Sequence, residues 1–198
     1  MVNRRNIDAN LKPYRKMLSK IKSNDISALT DAEIKEAARV LKNRAQSGEP
    51  AGGLLPEAFA SVYEAAARTL GLTAFDVQLT AAAAMADGRI IEFPTGEGKT
   101  LAAVFVAFLG ALSGKGVHVL TFNDYLAKRD AEWMGPVYDF LNVSVSCINE
   151  EMDARERKKA YAADVTYVTA RKPVLITCGD SWPVMRRRSR SGLFIWRS

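Results

Sequence analysis

Six consecutive residues, Thr95-Gly96-Glu97-Gly98-Lys99-Thr100, have the types and spacing needed to hold a chain of phosphates. A triphosphate carries several negative charges that must be approached without side-chain crowding. Gly96 and Gly98 let backbone N–H groups converge on the oxygens, and a helix starting at Lys99 adds the positive end of its dipole. Lys99 reaches the outer phosphates as a point charge. Thr100 offers a hydroxyl to Mg²⁺. The expected ligands are therefore ATP and Mg²⁺. The general signature G-x-x-x-x-G-K-[ST] is not fully met, because Phe93 stands where its first Gly would be. The shorter T-G-x-G-K-T form is the variant of helicase-type motors.

Such a loop needs a strand before it and a helix after it. Arg89–Phe93 reads as a short strand, and the residues from Lys99 to Leu112 as a long apolar helix ending near Gly114. Beyond it, Val117–Thr121 reads as a strand, 124–141 as largely helix, Val143–Ile148 as a strand, 153–162 as a helix and 164–168 as a strand. Strands alternating with helices of this length imply right-handed crossovers and a parallel sheet covered on both faces. The predicted fold class is α/β, a P-loop, helicase-like (RecA-like) parallel sheet, incomplete, with an N-terminal helical extension.

The N-terminal part is helical by pattern. Ile7, Leu11, Tyr14, Leu18 and Ile21 recur at helical spacing among basic residues. Thr30-Asp31-Ala32-Glu33 reads as a capping box opening a helix with Ile34, Ala37, Ala38 and Leu41 on one face. Residues 48–53 read as a loop. Pro56 suits the first turn of an Ala-rich helix running to about Leu70 and ended by Gly71. A further helix is expected from about Asp76 to Ala86. These features predict three regions: a helical extension over 1–53, a partial nucleotide-binding domain over 54–170, and a tail over 171–198.

Other polar residues carry weaker signals. Gln78 by itself reads as an exposed polar residue of a helix. Its distance upstream of the loop also fits a glutamine that reads the adenine edge in helicase-type ATPases. Asp124 reads as an N-cap, and Asp130 and Glu132 as a solvated helix face. His118, the only histidine, lies in a predicted buried strand without a Cys or His partner for a metal, so a core or hydrogen-bonded role is expected. After residue 100 no apolar run ends in Asp-Glu, the acidic pair that would hold Mg²⁺ and position water for hydrolysis.

The chain has 198 residues, is 48% hydrophobic and carries a net charge of +6. That suits one core-bearing domain. No run of 18 apolar residues is present, and the polar start does not read as a secretory signal. Cys147 and Cys178 have neither a metal spacing nor a disulfide pattern, so a reducing cytosol is the expected setting. Residues 171–198 hold seven Lys/Arg and one acid, Asp180, leaving 21 basic and 21 acidic residues in the first 170. The basicity belongs to the tail, and no specific nucleic-acid partner is expected for the rest.

Several stretches together resemble one family. Leu55-Pro56-Glu57-Ala58-Phe59-Ala60, Arg68-Thr69-Leu70-Gly71, Phe75-Asp76-Val77-Gln78-Leu79, the loop itself, Gly114-Lys115-Gly116-Val117-His118-Val119, Asn123-Asp124-Tyr125-Leu126-Ala127-Lys128-Arg129-Asp130-Ala131-Glu132 and Tyr161-Ala162-Ala163-Asp164-Val165-Thr166-Tyr167 are similar to SecA, the bacterial preprotein translocase motor ATPase. Leu29–Ile34 is similar too. The resemblance runs in unbroken order over about residues 4–169. It implies that Gln78 contacts adenine with Phe75 beside it, and that Thr95, Gly96, Glu97, Gly98, Lys99 and Thr100 wrap the phosphates. It also implies an ATP-hydrolysing translocase, at the inner face of the bacterial cell membrane, that moves preproteins through the SecYEG channel. An anionic membrane surface, and a homodimer of the full-length protein, are further partners it implies. Ala81-Ala82, Phe93-Pro94 and Phe122 depart from the family pattern, which suggests a divergent or accessory member. The fragment alone is expected to be inactive in turnover. The rival readings are a superfamily 2 nucleic-acid helicase fragment and a non-enzymatic truncated nucleotide-binding protein.

The resemblance stops after Thr169, and the genetic code offers a reason. Arg171–Gly179 can be encoded by AGG AAG CCG GTT TTG ATT ACC TGC GGN. Shifted by one base, and borrowing an A from the codon of Ala170, the string reads Lys-Glu-Ala-Gly-Phe-Asp-Tyr-Leu-Arg, the family's continuation. A frameshift near residue 170 is therefore expected, with the basic tail read out of frame. The coding DNA decides this: failure of the alternative frame to encode that run removes the idea.

Overall fold

The computed structural model describes residues 4–94, 96–169 and 194–197, with backbone alone at 4–10 and 194–197. The N-terminal half is four helices: α1 (Arg4–Ser23), α2 (Asp31–Gln46), α3 (Ala51–Leu70) and α4 (Asp76–Ala86). Helix α5 (Lys99–Ala111) follows the glycine loop. The rest alternates as β1 (Val117–Thr121), α6 (Asp124–Phe140), β2 (Val145–Cys147), α7 (Ala154–Tyr161) and β3 (Val165–Thr169), with β4 (Phe194–Arg197) near the C-terminus.

Local chemistry accounts for most of these boundaries. At α2 the Thr30 hydroxyl accepts from the Glu33 N–H, and the Glu33 carboxylate accepts from the Thr30 N–H at 2.7 Å, completing the expected capping box. The bond from the Thr30 N–H, and then the one the Thr30 hydroxyl donates to Glu33 Oε2 at 2.8 Å, hold the Glu33 carboxyl below its usual range. At the end of α3, Gly71 takes the left-handed conformation, and the N–H groups of Gly71 and Leu72 reach back to Ala67 and Ala66. The expected loop over 48–53 is shorter than its glycines suggest. Pro50, extended at φ −63° and ψ 139°, caps α3, and the Gly53 N–H reaches its carbonyl at 2.9 Å. Gly52 and Gly53 are thus helical, and Pro56 lies in the second turn. The expected boundary at residue 53 falls inside α3.

The sheet order is β2-β3-β1-β4. β1 and β2 both pair with β3 in parallel, with Val117 opposite Val165 and Val145 opposite Val165. The chain moves outward from β1 to β2 through α6 and returns to β3 through α7. Opposite directions of travel put crossovers of one hand on opposite faces. The strands alternate accordingly. Val117, Val119, Val165 and Tyr167 join α3, α5 and α6 in the main core, whereas Leu120 and Val168 meet Ile148, Ala160 and Tyr161 around α7. Both faces are covered, and the α/β class expected from the alternation holds.

One expectation fails at the sheet's other side. Residues 89–93 form no strand, and Ile90 is exposed while Phe93 is buried against Ala81 and Ala102. A strand exists through its ladder, and both flanks of β1 are taken, by β3 and by β4. β4 is antiparallel, with Val117 opposite Arg197 and Leu120 opposite Phe194. Part of the tail therefore joins the sheet and covers the β1 edge. Residues 170–193 lie outside the described residues, as does Cys178.

The core is continuous from the N-terminal helices to the sheet. Ile21, Ile34 and Leu41 belong to the same cluster as Phe59, Phe105, Phe108 and Tyr167. Helix α5 is apolar on every side and is buried along its length, as expected of a helix enclosed by others. Gly110 lets it approach β1: a Cβ there would lie 2.8 Å from Val117 Cγ2.

Candidate nucleotide site

The site is built at the N-terminus of α5. A turn of five residues links α5 to β1, so the two run antiparallel and the helix start faces the C-terminal end of the strands. Crevices at that end are where open α/β sheets bind ligands. Thr95 lies outside the described residues. Gly96 and Gly98 have φ of 91° and 75°, the left-handed region that glycine adopts without a Cβ penalty. Gly98 is the N-cap of α5 and offers no side-chain cap, so the helix opens on its backbone amides. Lys99 and Thr100 occupy the first two helical positions and are half-buried, while Gly96 and Glu97 are exposed.

Gln78 is not an exposed helix residue. It is 6% exposed, and its amide joins two elements. Its Oε1 accepts from the Phe75 N–H at 3.0 Å, satisfying an amide at the start of α4. Its Nε2 donates to the Glu97 carbonyl at 2.9 Å, within the loop. A Cβ on Gly98 would sit 2.1 Å from that nitrogen, so the glutamine can take this position only because residue 98 has no side chain. Phe75 lies beside Gln78 at the N-cap of α4 and is 71% exposed. The fold thus brings Phe75, Gln78, Gly96, Glu97, Gly98, Lys99 and Thr100 to one place from two helices.

The neighbouring strand ends add groups that sequence reasoning missed. The N-cap of α6 is Asn123, whose Oδ1 accepts from the Leu126 N–H at 2.8 Å, and not Asp124. Asp124, one residue later, is free to accept a hydrogen bond from the Thr169 hydroxyl at the end of β3. This ties α6 to β3 at the strand ends. Asp130 is also not solvated: it is 5% exposed and accepts from Arg129 at 2.6 Å. The signal was present, since position 130 falls in the stripe of Ala127, Ala131, Met134 and Tyr138 that α6 buries. Glu132 is exposed as expected and lies 3.9 Å from Lys128. Beneath, the hydroxyls of Tyr138 and Tyr167 share a buried hydrogen bond of 3.1 Å, and burial pushes both phenols up. His118 is buried, stands edge-on to Tyr161 at 5.4 Å, and its pKa is lowered by burial.

Comparison with known proteins places this arrangement in one family. A sequence model of the SecA DEAD-like domain matches residues 1–175. The protein translocase subunit SecA of Rubrobacter xylanophilus is 54% identical over 145 residues, which is 73% of this chain and 16% of that protein. The chloroplastic protein translocase subunit SECA1 of Arabidopsis thaliana is 55% identical over 145 residues, 73% of this chain and 14% of that protein. SecA of Coxiella burnetii is 51% identical over 161 residues, 80% of this chain and 18% of that protein. The chain spans about a sixth of the length of the curated relatives it matches.

Proposed function

The chain belongs to the SecA family, and on that premise we propose that it supplies the adenine and phosphate contacts of an ATP-driven protein translocase. The N-terminal helices and the sheet, which share one core, together form this part. The observation that carries the proposal is the junction of Gln78 with the Gly96–Thr100 loop at a bare helix N-terminus. The residues fit the ligand. Left-handed glycines leave the approach to the amides clear, and the α5 dipole favours anions.

In this reading Gly96, Glu97 and Gly98 present backbone N–H groups to phosphate, and Lys99 adds a mobile positive charge. The Thr100 hydroxyl would hold Mg²⁺, which would supply neutralisation of the phosphate charge. Gln78 and the exposed Phe75 ring receive the base. The wider role follows from the family: preproteins and a SecYEG-type channel as partners, with attachment to an anionic membrane surface. Among the described residues no helix is long and apolar enough to cross a membrane. The sequence carries no acidic pair after an apolar strand, so this chain binds nucleotide without appreciable turnover.

Titration of the 198-residue chain with a fluorescent ATP analogue and Mg²⁺ tests this. Lys99→Ala is expected to weaken binding about 10- to 100-fold, the range for a hydrogen bond to a charged group. Equal affinity in the two proteins sinks the proposal.

A further inference from the structure

Helix α4 carries Gln78, and the face it buries is mostly alanine (Ala81, Ala82, Ala83 and Ala84), with Leu79 as its one large, fully buried apolar side chain. Alanine methyls make shallow ridges, so a helix faced with them can slide at small cost in contacts. Gln78 tolerates no such slide, because its Nε2 must meet the Glu97 carbonyl at 2.9 Å.

Both ends of α4 are held by α1. At the first residue of α4, Asp76 receives Lys22 on both carboxylate oxygens, Oδ1 at 2.7 Å and Oδ2 at 2.9 Å. At its C-cap, Asp87 Oδ2 accepts from the Tyr14 hydroxyl at 2.8 Å, with Arg89 Nε 3.4 Å away. The contacts pair in reverse order, so α1 and α4 run antiparallel. Between the two polar ties, Tyr14, Met17, Leu18 and Ile21 of α1 anchor it in the main core. A cavity of about 330 Å3, lined by Ile21, Lys22, Asn24, Tyr63, Asp76 and Leu79 among others, adjoins the Lys22–Asp76 contact. At that end the ion pair, rather than dense packing, spans the gap.

We propose that Lys22 and Tyr14 are positioning residues for the nucleotide loop: α1 grips α4 at both ends and so sets the height at which Gln78 meets Glu97. They touch no ligand and act through Gln78. The inference rests on the function proposed above for its affinity readout, but not for its structural one.

The experiment compares the full chain with Tyr14→Phe/Lys22→Ala and with Lys22→Arg. Amide hydrogen exchange is read without nucleotide, and binding of fluorescent ATP and GTP analogues is read in parallel. Because both ties are exposed, the double variant is expected to weaken ATP binding by about fivefold. GTP binding weakens less, since it loses the ordering of the loop but no adenine contact. Exchange rises over Gly96–Leu101 and α4 while α3 and α6 keep their protection, and Lys22→Arg behaves as the parent. Unchanged exchange in the loop overturns the proposal. So does a uniform rise across α3, α5 and α6, which marks general loosening. If the parent binds neither analogue, the proposed function fails, and the exchange pattern alone still decides for or against positioning.

Discussion

The two ends of α5 are opposites. From Leu101 onward the helix is a buried rod whose neighbours are other side chains, among them Phe59 against Phe105 at a ring-centroid distance of 5.2 Å. Its first turn is backbone amides, glycine and half-buried polar groups. One part is held by apolar burial and tolerates little loss of volume. The other is shaped by absent side chains and tolerates little addition. On the function proposed above, the same thirteen residues separate stability from binding along one axis.

The largest expected effect lies in the rod. Phe105→Ala is expected to cost about 4 kcal/mol of stability, as for other large-to-small changes in a fully buried site. Chemical denaturation followed by circular dichroism reads it. A loss below about 1 kcal/mol would mean that the rod is not held by burial.

Next comes the loop. Gly98→Ala adds a Cβ that meets Gln78 Nε2 at 2.1 Å and forces a left-handed alanine. The cost to stability is only about 1–2 kcal/mol. Nucleotide affinity is expected to fall about a hundredfold, because the amides turn away from the phosphates. An affinity drop no larger than the stability loss explains would erase the distinction between the two ends.

Smaller effects come from polar groups buried beside the rod. Tyr138→Phe leaves the Tyr167 hydroxyl without the partner it has at 3.1 Å, and about 1 kcal/mol is expected to be lost. The smallest effect is pH-dependent. Burial lowers the pKa of His118 below its ordinary value of 6.5, so the native state favours the neutral ring. The resulting stability is complete above that value and is lost as pH falls through the depressed pKa. Between about pH 7 and about pH 5, His118→Gln should therefore lose less stability than the parent. Parallel pH curves for the two proteins contradict this.

Elements with self-contained chemistry were legible from sequence. The Thr30–Glu33 capping box, the left-handed Gly71 stop, the apolar run of α5 and the alternation from β1 to β3 each rest on residues a few positions apart. The strand expected at Arg89–Phe93 was not secure, since β propensity needs a partner and β1 has none to spare. Asp124 failed as a cap because Asn123 competes one residue earlier. The burial of Gln78 was not legible, because its bond to Glu97 joins α4 to a loop 19 residues away.

Residue types at short, fixed spacings were enough for the family and the α/β class, and they single out Gly96–Thr100 as the stretch proposed to hold phosphate. Where distant residues meet depends on how the elements pack. Lys22 reaching Asp76 across 54 residues, Tyr14 reaching Asp87 across 73, and Asp124 accepting from Thr169 across 45 are contacts between distant segments. No local pattern encodes them. They arise when apolar burial brings the helices and strands together and leaves each polar group to satisfy itself with the partner that packing supplies.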